Sequence, residues 1–166
     1  MKNLINHITA VAASEGENVS VVGDTYRIVM SGSQTGGDYA LIDMLIPPNG
    51  GPGPHAHKYI QETFYVLDGE IEVKTKEKTY TVTKGGCVNI PKGGLVHQFK
   101  NVSDEVAHML CVVTPAGMED MFKAIGVPVE PGKFLPPPEM TAEKLGKFKA
   151  IAEQYGQELF PPDYFG

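Results

Sequence analysis

From about residue 19 to residue 114 the chain is cut into short apolar stretches separated by clusters of Gly, Asn, Asp and Lys, and several of these stretches alternate strictly. In EIEVKT, Ile71 and Val73 stand against Glu70, Glu72 and Lys74; in KTYTVT, Tyr80 and Val82 stand against Thr79, Thr81 and Thr83. Successive side chains of an extended strand point to opposite faces, so a period of two marks one face for a core and one for water. Further strands are expected in TYRIVMSG, DYALIDMLI, ETFYVL, GCVNI, HQFKN and VAHMLCVVT. Asp68-Gly69 is a hairpin signal, and TKGGC and NVSDE supply the next turns. No helical period runs through the region. Many short antiparallel strands of this kind make an all-β sandwich or barrel.

At 166 residues the chain has room for one domain with a real core. Its 42% hydrophobic and 20% charged residues exclude general disorder. A net charge of -6 without a basic run excludes a nucleic-acid partner, which would need clustered Lys and Arg. Asn6 and His7 break the apolar run of the amino-terminal stretch, which leaves no secretory signal core, and no apolar run is long enough to span a membrane. Cys87 and Cys111 both lie in apolar strand segments and read as buried thiols, not ligands, of a cytoplasmic protein.

After Pro115 the texture changes. AGMEDMFKAIGVP forms a short helix ending near Gly126, and PVEPGKFLPPP is an extended connector. In TAEKLGKFKAIAEQYG, Leu145, Phe148, Ile151, Ala152 and Tyr155 share one helical face, with Thr141 as N-cap and Gly156 as stop. This helix is expected to cover the outside of the sheet, a partner interface being the alternative. The organisation expected is an amino-terminal arm over residues 1–24, a barrel over 25–115 and a helical, proline-rich extension over 116–166.

The chemistry is concentrated in four side chains. His55 and His57 are one residue apart, so both imidazoles point to the same face of a strand. Glu62 is an odd number of positions beyond His57, which requires a bend in KYIQ and a new strand near Glu62. His97 follows IPKGGLV and opens a further strand. Imidazoles and a carboxylate are ligands that first-row divalent metals take. His7 and His108 are not expected to be ligands; His108 decorates a sheet face. Phe64, Val66 and Phe99 share the faces of Glu62 and His97 and are expected to line a pocket, whereas Met44 and Met109 fill core gaps. Tyr59 and Gln61, between the ligand strands, are either hydrogen-bond partners of the ligands or solvated.

These residues fall into two motifs, His55, His57, Glu62 and Gly69, then Gly85, Pro91, Gly93 or Gly94, His97 and Asn101, which closely resemble those of the cupin superfamily. Gly50 or Gly51 stands near the usual leading glycine, and the segment from Pro91 to His97 is one residue longer than the commonest form. SGSQTGGDYALIDMLIPPNGGPGPHAH, VTPAGMEDMF and EQYGQELFPP extend the resemblance to small, single-domain quercetin dioxygenase-like cupins. The resemblance implies a conical, jelly-roll-like antiparallel barrel in which His55, His57, Glu62 and His97 converge on one divalent transition metal: Fe, Mn, Ni, Co or Zn. Such a site carries a net positive charge and favours an enolate, phenolate or carboxylate oxygen. The expected function is a metal-dependent dioxygenase of a small phenolic or enolic molecule, with Glu62 as ligand and catalytic base. The alternatives are a non-catalytic binding or sensing module, and a metal-assisted isomerase or decarboxylase. The resemblance also implies a homodimer paired through edge strands, the early strands being candidates.

Overall fold

The alternation read from the sequence is carried by two antiparallel layers in a computed structural model that describes residues 4–166. In chain order the elements are β1 (Glu17–Val21), β2 (Asp24–Met30), α1 (Gly32–Thr35), β3 (Ala40–Ile46), β4 (His55–His57), β5 (Gln61–Asp68), β6 (Glu70–Lys74) and β7 (Thr79–Thr83). They continue with β8 (Cys87–Ile90), β9 (Gln98–Lys100), β10 (Ala107–Thr114), α2 (Met118–Ile125), β11 (Val127–Pro128), α3 (Ala142–Gln154) and β12 (Gln157–Leu159). One layer is a seven-stranded sheet in the order β11-β1-β2-β3-β10-β5-β8. The other combines β12-β4 with β7-β6-β9, the two pieces joined where His55 and His97 form an antiparallel bridge. This is the jelly-roll barrel that the resemblance implied.

The core lies between the layers. Across the larger sheet, Met44, Met109 and Val66 form one buried row and Ile42, Cys111 and Phe64 the next. Phe99 of β9 reaches across from the other layer and meets Phe64 edge to face, ring centroids 5.1 Å apart. Each such side chain contributes about 1.5–3 kcal/mol on burial, so these rows hold the two layers around the site.

Several expectations change. The arm ends before residue 17 rather than at 24, because ENVSV pairs along its whole length with β2; its strand pattern is short and runs into the turn at Val22 and Gly23, which hides it in the sequence. The outer edge of β1, a candidate for pairing with a second copy, is taken by β11 at Val19 and Ser20. Tyr80 is exposed because β7 closes the edge of its sheet, and Lys78 sits 4.9 Å from its ring centre. Cys87 is likewise exposed, on the edge strand β8, and only Cys111 is a buried thiol. The first three residues of the amino-terminal stretch lie outside the described residues. Among the described residues no helix is long and apolar enough to cross a membrane.

Both carboxy-terminal helices form where expected. α2 stops at Gly126, and α3 starts at Thr141, whose hydroxyl oxygen accepts from the Lys144 amide at 3.3 Å. α3 packs on α2 and β12, not on the outside of a sheet. The physical reason is β12 itself: QEL after Gly156 pairs with β4, Gln157 opposite His57 and Leu159 opposite His55, and ties the extension to the ligand strand.

Candidate metal centre

His55, His57, Glu62 and His97 come together in the barrel interior, where each is 4% exposed or less. Four ligand atoms, one from each, all lie within 4.8 Å of one another. Strand geometry explains the meeting. His55 and His97 exchange both backbone hydrogen bonds at 2.9 Å, so their side chains leave from opposed positions on the same face and their rings stand 4.4 Å apart. His57 is two residues along the same strand face. Glu62 arrives from the seven-stranded sheet, held between Val113 of β10 and Ile90 of β8, after the chain bends through residues 58–60. Gly93 in the longer second loop donates its amide to the Lys58 carbonyl at 3.0 Å, which links the two ligand loops.

The hydrogen bonds fix how each imidazole presents itself. Nδ1 of His55 faces the Gly53 carbonyl at 2.9 Å, Nδ1 of His57 the Ile60 carbonyl at 3.0 Å, and Nδ1 of His97 the Leu95 carbonyl at 2.9 Å. A carbonyl only accepts, so Nδ1 carries the proton in all three rings and each Nε2 turns a lone pair inward. His57 Nε2 then lies 2.7 Å from Glu62 Oε2, and His97 Nε2 lies 3.4 Å from the same oxygen with no hydrogen-bond partner of its own. Lone pairs turned on a carboxylate repel unless a proton or a cation lies between them. The donor set, its burial and the orphaned His97 nitrogen therefore fit a divalent metal.

Burial pushes the His55 imidazole down to about 4, with the neighbouring His97 acting in the same direction, so this ring is neutral in ordinary buffers. Burial also disfavours a charged His57, but its hydrogen bond to Glu62 outweighs this and raises its pKa. For Glu62, burial alone would favour the neutral acid; the His57 and His97 imidazoles beside it outweigh this by favouring its ionised form and hold it below the usual carboxylate range. The Cys111 thiol, pushed up by burial and by the Glu62 charge, donates to Glu62 Oε1 at 3.9 Å.

The partners of the ligands are backbone carbonyls, which no residue type announces; Tyr59 is exposed and Gln61 half-buried. His7 is exposed, and His108 stands apart from the cluster on a sheet face, 2.5 Å from Asp43, which also binds Arg27 at 3.1 Å. From His55 and Glu62 a cavity of about 580 Å³ opens toward the carboxy-terminal segment. Phe99 and Met44 line it, whereas Phe64 and Val66 lie in the closed core. Its remaining walls include Met121 and Phe122 of α2 and Leu145 and Phe148 of α3. Asp24 and Tyr26 line it too. Sequence reasoning missed both: DTYRIVM mixes Asp24, Thr25 and Arg27 with apolar residues and does not announce which side chain enters a cavity.

Residues 42–113 match the family model described as the cupin domain. Quercetin 2,3-dioxygenase of Bacillus subtilis is 25% identical over 118 residues, and that of Aspergillus japonicus 26% identical over 120 residues. These alignments cover 71% and 68% of this chain but 34% of each relative, so the chain spans about a third of the length of the curated relatives it matches. A solved structure from Thermotoga maritima, described as a predicted oxalate decarboxylase, superposes with a TM-score of 0.58 at 19% identity, covering 64% of this chain and 99% of that one.

Proposed function

With a cupin domain over residues 42–113 as the premise, we propose that this protein is a metal-dependent dioxygenase of a small phenolic or enolic molecule. The observation that carries the reading is the three inward Nε2 lone pairs and one buried carboxylate at the end of an apolar cavity. The two curated relatives bearing the name quercetin 2,3-dioxygenase support it. When bound, a divalent metal supplies Lewis acidity and the one-electron chemistry that dioxygen requires. His55, His57, Glu62 and His97 hold it. Their carbonyl-bonded Nδ1 atoms keep the rings oriented and neutral. Glu62 is the carboxylate beside the reacting hydroxyl and accepts its proton. Met44, Phe99 and Phe122 form apolar walls that keep water from reactive intermediates.

An uncharged substrate, a reducing compartment suited to the free thiols of Cys87 and Cys111, and pairing of two copies through an open sheet edge complete the proposal. The test is elemental analysis of protein purified without added metal, followed by oxygen uptake with flavonols, small catechols and diketones for each candidate metal. Substrate-dependent uptake is expected with at least one flavonol or related enol. Metal-loaded protein that takes up such ligands without consuming oxygen is a binding module instead, and turnover without oxygen makes it an isomerase or decarboxylase.

A further inference from the structure

The same cavity contains a second polar group that metal binding does not use. Asp24 and Tyr26, neighbours on one face of β2, are each 3% exposed and both line the cavity. The Tyr26 hydroxyl donates to Asp24 Oδ2 at 2.9 Å, and the Gly51 amide donates to Oδ1 at 3.1 Å. The Phe122 ring, edge-on at 4.9 Å, fixes the Tyr26 ring. Both donors to Asp24 are uncharged, and an ionised carboxylate accepts about four hydrogen bonds, so acceptor capacity is left over. The approach of the loop is a built feature: a Cβ on Gly50 would lie 2.5 Å from Asp24 Oδ1, and one on Gly51 2.3 Å from the Phe99 carbonyl oxygen.

We infer that Asp24 and the Tyr26 hydroxyl form a second anchor of the cavity, which accepts a hydroxyl group of an otherwise uncharged substrate and rejects anionic metabolites. The inference rests on the reading of this cavity as a site for a phenolic or enolic substrate and narrows its class: the molecule carries a second hydroxyl besides the one at the metal end. Charge supports the selection. Asp24 and Glu62 both face the cavity, while the ammonium in its lining, Lys149, is on an exposed residue of α3. A dicarboxylate or a sugar phosphate with one group at the metal end would bring its second anionic charge against the Asp24 carboxylate in an apolar enclosure. Burial holds the Asp24 acid up to about 6, against the hydrogen bonds from Tyr26 and Gly51.

The test is anaerobic absorbance titration of the metal-loaded full chain with two probes. One is 3-hydroxyflavone, with the enolic hydroxyl alone; the other is quercetin, with the same hydroxyl and several phenolic ones. Wild type is expected to prefer quercetin by about tenfold or more, since a site built for a hydroxyl discriminates against a ligand lacking it. Oxalate should not compete with either probe. In Asp24→Asn the preference falls to near parity, and in Tyr26→Phe, which keeps Asp24 on Gly51 and the ring against Phe122, it shrinks. Binding of 3-hydroxyflavone changes less than that of quercetin in both, and metal is retained. The inference is overturned if both variants keep the preference, or if Asp24→Asn loses 3-hydroxyflavone or metal while Tyr26→Phe matches wild type, which would make Asp24 a loop anchor only. Wild type that binds neither probe overturns the inference, and if it also fails to bind small catechols and diketones the dioxygenase reading falls with it.

Discussion

The floor and the mouth of the cavity are built in opposite ways. At the floor, His55, His57, Glu62 and His97 are buried, and each imidazole is tied to a carbonyl two or three residues away in its own chain segment. At the mouth, Met140 and Leu145 are 40% and 48% exposed and come from a segment attached to the barrel through α2 and β12. A ligand set needs positions fixed to fractions of an ångström, which strands and local hydrogen bonds provide. A wall that selects among apolar shapes needs only area. The two regions still meet at one place, since β12 pairs with the ligand strand β4.

The largest effect expected from breaking the floor is loss of metal. His55→Ala or His57→Ala should reduce the metal content of purified protein from about one per chain to a small fraction of that, measured by elemental analysis. Full metal content in both variants would show that the four side chains are not the site. Next in size is Glu62→Gln, which keeps the shape and one oxygen of the side chain but removes its basicity. Turnover should fall by about a hundredfold or more while a measurable share of metal remains. Loss of metal and turnover together would reduce Glu62 to a ligand.

The contrast between floor and mouth also explains what was legible in the sequence. Alternation gave the strands of the barrel, and histidine spacing with glycine punctuation gave all four residues of the buried cluster, because these signals are local. The bend between His57 and Glu62 followed from parity alone. What stayed hidden depends on distant packing. QEL is too short to announce itself as a strand, and its pairing with β4 is a contact across about a hundred residues of chain. Leu145 and Phe148 were read correctly as one helical face, but periodicity does not say what a face covers. Asp24 sits in a strand whose pattern looks like any other; only the fold shows that its side chain enters the cavity. The carbonyl partners of the histidines carry no residue signal at all.

At the mouth the effects should be smaller and of another kind. Phe148→Ala removes apolar wall from α3 without touching a ligand or the β12 pairing. Loss of such a contact is worth about 1–3 kcal/mol of binding, so KM should rise severalfold or more while kcat and metal content change little. Metal content that fell with Phe148→Ala would mean that floor and mouth do not act separately, and that α3 transmits strain through β12 to the ligand strand.

The smallest expected effect sharpens the comparison within the cavity, because its two carboxylates are displaced in opposite directions. Burial opposes ionisation of both, but Glu62 has imidazole partners that reverse the balance and Asp24 does not. Asp24 is raised from its ordinary 3.8 to about 6, so the folded chain holds this proton more tightly than the unfolded chain does. The contribution of Asp24 to stability is then greatest below the unfolded value and falls as pH rises from about 4 to about 6, becoming level above that range. Asp24→Asn carries no charge at any of these pH values and its Oδ1 can still accept from Gly51. The variant should therefore unfold at a higher temperature than wild type at neutral pH, by the equivalent of about 1–3 kcal/mol, and the gap should close toward about pH 4. Thermal unfolding of the metal-free proteins across that range checks it. A variant destabilised by the same amount at every pH would show that the Asp24 carboxylate is held by the fold for its hydrogen bonds alone.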